Sequence, residues 1–158
     1  MYFWNIKKLK ANLIERPMTD KEVLPYLIAI LLMFTIAEYS PKPIHYNIKD
    51  YLEICIVTIA NIFGTYWLYL KNNGNTGSNF LQRYFALGWV AVIRVIVFCL
   101  PVVILFFIIG TALQVMTPDT KNTNWHDLIA IILLEIYYFW YFGKHLVDVA
   151  QKATYHKD

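Results

Sequence analysis

The sequence predicts an all-α integral membrane protein of four helices, accompanied by interfacial amphipathic segments. Three observations predict it. Hydrophobic residues make up 58% of the 158-residue chain and charged residues only 16%, against about 25% charged in ordinary globular domains. The mean hydropathy is +0.44. The apolar residues gather into long, nearly uncharged runs separated by short polar stretches, and runs of about 18 or more such residues suit the hydrocarbon core of a bilayer. A soluble domain of this size has too little interior to hide so much apolar surface. Residues 1–158 therefore read as one membrane domain.

Residues 2–14 form the first element. Tyr2, Ile6, Leu9 and Leu13 share one helical face, and Lys7, Lys8 and Lys10 turn largely away from it. That pattern predicts a short helix lying in the membrane interface. Pro17 ends it, and Thr19 with Glu22 has the spacing of a capping box for the next helix. No cleavable signal pattern is present, so the first apolar run is expected to be retained.

The first span is placed at 22–39. Its apolar part, VLPYLIAILLMFTIA, has only 15 residues, about 22 Å of helix, so its ends lie close to the headgroups. The second span, 51–70, follows the polar loop SPKPIHYNIKD. Thr58, Asn61 and Thr65 fall on one of its faces, and polar groups in lipid are costly enough that this stripe is expected to face other helices. The linker KNNGNTGSN carries strong turn signals.

The third span is placed at 88–113, an interfacial segment at 80–93 overlaps its start, and Arg94 can be read in two ways. Nineteen apolar or weakly polar residues run from Val95 to Leu113, about 28 Å and nearly a full crossing without the arginine. Arg94 is then a boundary residue whose stem crosses apolar surface while its head reaches phosphate or water. Alternatively one helix runs from Tyr84 to Leu113 and carries Arg94 inward, where it needs a carboxylate. Glu135 in IAIILLEIYYFWYF is the candidate. The fourth span, 126–145, holds Glu135 near its middle, where a carboxyl is expensive and is expected to face a bundle interior. Tyr138 and Trp140, in the aromatic run at 137–142, suit an interfacial belt.

The basic residues orient the chain. Eleven of the 14 Lys and Arg fall on the side shared by the termini and the middle linker; Lys42, Lys49 and Lys121 fall on the other. The positive-inside rule puts both termini in the cytoplasm, giving a multi-pass protein of the cell membrane.

Chemistry is sparse. Cys55 and Cys99 lie in apolar runs and read as small buried hydrophobes. Glu38, His45, Glu53, His126 and Asp127 share the outer side but lack close metal-ligand spacing. No phosphate-binding loop, dinucleotide fingerprint or nucleophile elbow is present, so no cofactor is expected. The basic residues flank apolar runs, which favours anionic lipid over nucleic acid as their partner. The expected role is a membrane accessory or regulatory protein acting through intramembrane contacts with another membrane protein or copies of itself, an immunity-type protein being one form. The rivals are an oligomeric ion or proton channel or transporter, lined by Thr58, Asn61, Thr65 and Glu135, and a membrane-embedded enzyme acting on a lipid-like substrate. The short loops weigh against the enzyme.

Overall fold

The computed structural model describes residues 2, 4–38, 46–112, 123 and 125–155. Among them five α-helices form: α1 (Ile6–Glu15), α2 (Asp20–Glu38), α3 (Ile48–Lys71), α4 (Phe80–Ala112) and α5 (Trp125–Tyr155). This corrects the expected four-helix architecture. Two helical stretches, Ile48–Lys71 and Phe80–Val102, are long and apolar enough to cross a membrane. α2 begins with Asp20, Lys21 and Glu22, which leaves too short an uncharged run. α5 is diluted by Glu135, by its tyrosines and by a charged final third. The separate interfacial segment expected at 80–93 is instead the first part of α4, a continuous 33-residue helix with Pro101 inside it.

Local capping explains where the helices start. Asn5 opens α1 by accepting from the Lys8 amide at 3.0 Å. The Thr19 amide donates to Glu22 Oε2 at 2.9 Å, as the spacing predicts, and Arg16 donates twice to the same carboxylate, at 2.9 and 2.5 Å. This clasp sets the corner between α1 and α2. Asn47 and Asp50 form a complete capping box at the start of α3.

The short helix α1 completes the core. Ile6, Leu9 and Leu13 are buried, Leu9 completely, and α1 packs across α4 and α5. Its apolar stripe therefore meets protein, joining Leu87, Val90, Phe142, Leu146 and Val149 in one cluster. Tyr26 at the start of α2 is also fully covered, and its hydroxyl accepts from the Tyr2 amide at 2.7 Å. The sealed end of the bundle thus consists of α1, the first turns of α2 and α4, and the last turns of α3 and α5. Away from that end the long helices bare apolar side chains: Phe34 and Ile36 on α2, Ile59 and Phe63 on α3, Phe98 and Val102 on α4, and Leu133 on α5.

The linker between α3 and α4 is tightly built. Asn73 and Gly74 adopt positive φ, 68° and 52°, which Asn and Gly tolerate best. Asn72, wholly buried, donates from Nδ2 to the Ser78 carbonyl at 3.3 Å and accepts from Arg83 at 2.8 Å. Gly77 is required by space, because a Cβ there would lie 1.7 Å from the Asn72 carbonyl oxygen. Gly77→Ala is therefore expected to destabilise the protein by about 1–3 kcal/mol, the usual cost of forcing atoms into a filled site. A lowered thermal midpoint in detergent, with helicity retained at low temperature, checks this.

Candidate functional site

Two polar constellations stand out against the apolar background. The first ties the N-terminal segment to the long helices. Arg94 on α4 donates from Nε and Nη2 to the Trp4 carbonyl oxygen at 3.3 and 2.9 Å, and from Nη1 to the Tyr141 hydroxyl at 3.2 Å. Its guanidinium also lies over the Trp4 ring, 5.3 Å from the centroid. Tyr141 meets the His145 ring edge-on at 4.6 Å. Lys10 Nζ lies 3.5 Å from His145 Nδ1 and pairs with Asp148, which also pairs with Lys152 at 2.8 Å. The chain from Trp4 to Lys152 thus links α1, α4 and α5.

Arg94 and Glu135 do not meet. Arg94 is satisfied by Trp4 and Tyr141, and Tyr141 stands six residues beyond Glu135 on α5, about 9 Å along the axis. Both sequence readings of Arg94 missed its main acceptor, a backbone carbonyl 90 residues away.

Glu135 belongs to the second constellation. It is half-buried and lines a cleft between α3 and α5 with Phe63, Trp67, Ile132, Phe139 and Trp140. Among the described residues no hydrogen bond or ion pair reaches its carboxyl. The stripe on α3 lies elsewhere. Thr65 Oγ1 is 3.1 Å from the Tyr84 hydroxyl, joining α3 to α4. Asn61 donates back to the Val57 carbonyl at 2.9 Å, and both it and Thr58 are exposed. None of the three lines the cleft.

The carboxylates of Asp50 and Glu53 are occupied structurally. Thr123 donates from its amide to Asp50 at 2.7 Å and from its hydroxyl to Glu53 at 2.5 Å, tying the start of α3 to the segment before α5. Among the described residues no group of three His, Cys, Asp or Glu is placed to hold a metal. His45 and the side chains of Glu38 and His126 lie outside the described residues. Cys55 is exposed, not buried as its apolar setting suggested, and Cys99 is half-exposed.

Comparison with known protein families, curated proteins and solved structures finds no match. Among the described residues the chain is all-α, with two helical stretches apolar and long enough for membrane association.

The first constellation generates two predictions. Hydrogen bonds from Lys10 and Lys152 pull the Asp148 carboxyl down from its ordinary 3.8 to about 2. A carboxyl with a depressed folded-state pKa stabilises fully above its unfolded value and loses that contribution as pH falls through the folded one. Docking of α1 is therefore expected to weaken between about pH 4 and pH 2, read from Trp4 fluorescence, and Asp148→Asn should flatten the change over that window. Arg94→Gln should free the N-terminal segment. Charge-assisted bonds contribute about 1.5–3 kcal/mol when well shielded and less at a half-exposed site, so amide exchange across residues 5–16 should quicken by about tenfold. Unchanged exchange would show that Leu9 and its neighbours hold α1 without help.

Proposed function

We propose that this is a small membrane protein that works by contact, as an accessory or regulatory partner of another membrane protein. In this reading its apolar half, to which all the long helices contribute, rests in the bilayer, and α3 and α4 supply its most apolar stretches. The observation that carries it is the run of uncovered Ile, Leu, Val and Phe side chains beyond the sealed end, on every long helix. Uncovered apolar surface on this scale marks contact with lipid or with another protein.

The polarity of the bundle supports an orientation. Lys7, Lys8, Lys21, Lys71, Lys144 and Lys152 are all exposed, and all belong to elements of the sealed end. Under the positive-inside rule that end, with both termini, faces the cytoplasm. The transport reading has less support. Its polar path would need Thr58, Asn61 and Thr65 to converge on Glu135, whereas Thr65 is bonded to Tyr84 and none of the three shares the cleft. An immunity-type role, in which contact blocks a membrane-active target, is a regulatory form of the favoured reading.

The test places a photo-crosslinking residue at Phe98 or Phe63, both exposed on apolar faces, in the native membrane. A discrete crosslinked membrane protein that also copurifies in mild detergent is the expected outcome. Crosslinks to lipid alone, with a lone monomer under every gentle extraction, would overturn the proposal. So would ion or proton flux in liposomes that Glu135→Gln abolishes.

A further inference from the structure

α3 and α5 each seat a ring of the other against a glycine. A Cβ on Gly64 would lie 2.3 Å from the Phe139 ring, and one on Gly143 would lie 2.4 Å from Trp67. Next to these contacts the helices flank the open cleft of about 440 Å³ that Glu135 lines. That size falls within the range of small-molecule sites, about 300–1,000 Å³. A whole helix, about 10 Å across with its side chains, is too thick to enter it.

The lining has one ionisable group and several rings. Glu135 is the sole titratable side chain in it; the remainder is aliphatic, aromatic or glycine. A carboxylate held away from water favours a counter-charge. The faces of Trp and Phe attract cations as well, most strongly where water is scarce. The aliphatic wall, including Ile132, favours an apolar body around that charge. A neutral acyl chain would leave the carboxylate unmet, and an anion would be repelled. A small hydrated metal ion would lose its water for a single carboxylate.

Lysines mark the other end of the cleft. Lys71 lies 5.4 Å from the Trp67 ring centroid and Lys144 lies 5.7 Å from that of Trp140. Lys144 stands nine residues from Glu135, about 13 Å along α5. The potential in the cleft therefore runs from positive at this rim to negative at Glu135, and a cation enters beside Glu135.

We infer that the α3–α5 cleft is a binding site for a lipophilic organic cation, with Glu135 as counter-charge and Phe63 and Phe139 as ring contacts. The inference rests on the membrane setting proposed above but requires no protein partner. The test is therefore made on the purified full chain in nanodiscs, by equilibrium binding of labelled tetraphenylphosphonium. Saturable binding is expected, displaced by a benzyltrialkylammonium ion and not by tetraphenylborate. Glu135→Gln should weaken it by about tenfold or more, as loss of a shielded charge contact does, while Glu53→Gln, outside the cleft, leaves it unchanged. Ala60→Phe keeps the carboxyl and fills the cleft, and should also abolish binding. Circular dichroism confirms that each variant is folded. Absence of saturable binding to folded wild-type protein would overturn the inference. So would undiminished binding in folded Glu135→Gln or Ala60→Phe. Cation binding without any crosslinked protein would leave this site standing and remove the accessory role.

Discussion

Leu9 has no accessible surface, and around it the stripe of α1 meets side chains from both α4 and α5. The sealed end of the bundle depends on that contact. Leu87, Val90, Phe142, Leu146 and Val149 belong to the same cluster, and removing α1 would expose part of it beside the most strongly charged elements of the chain. Burial of apolar area is the dominant favourable term at such a junction. Arg94, Lys10 and Asp148 then fix the register of the docked helix, because charged partners are directional where apolar ones are not.

Much of this was legible from residue spacing. The face of α1 followed from Ile6, Leu9 and Leu13 at intervals of three and four, and its corner from Thr19 and Glu22. What covers that face was not legible, since a stripe reports that one side leaves water and does not say whether lipid or protein receives it. The helix count failed for that reason. Arg94 failed differently. Its acceptor is the main-chain oxygen of Trp4, and a backbone carbonyl carries no signature in the identity of its residue.

Glu135 shows the same division. A carboxyl inside an apolar run is conspicuous in the sequence. That it lines a cleft with rings of α3 rather than meeting Arg94 follows from how α3 and α5 pack, with Phe139 seated on Gly64 and Trp67 on Gly143. Thr58, Asn61 and Thr65 share a helical phase on α3, yet of the three Thr65 alone reaches a neighbouring helix through its side chain, and Thr58 and Asn61 are exposed. Phase says which residues share a face, whereas reach depends on how far the helices diverge.

The placement of α1 also imposes an order on biosynthesis. α1 leaves the ribosome well before part of its docking surface, residues 142–149 of α5, has been made. Until then its apolar stripe has no complete protein surface to rest on, and a short basic amphipathic helix in that position is drawn to the membrane surface. Closure of the sealed end thus waits for α5 and joins elements far apart in the sequence. A nascent chain that stalls before α5 leaves α1 exposed, so the α1–α5 contact reports that α5 has been made.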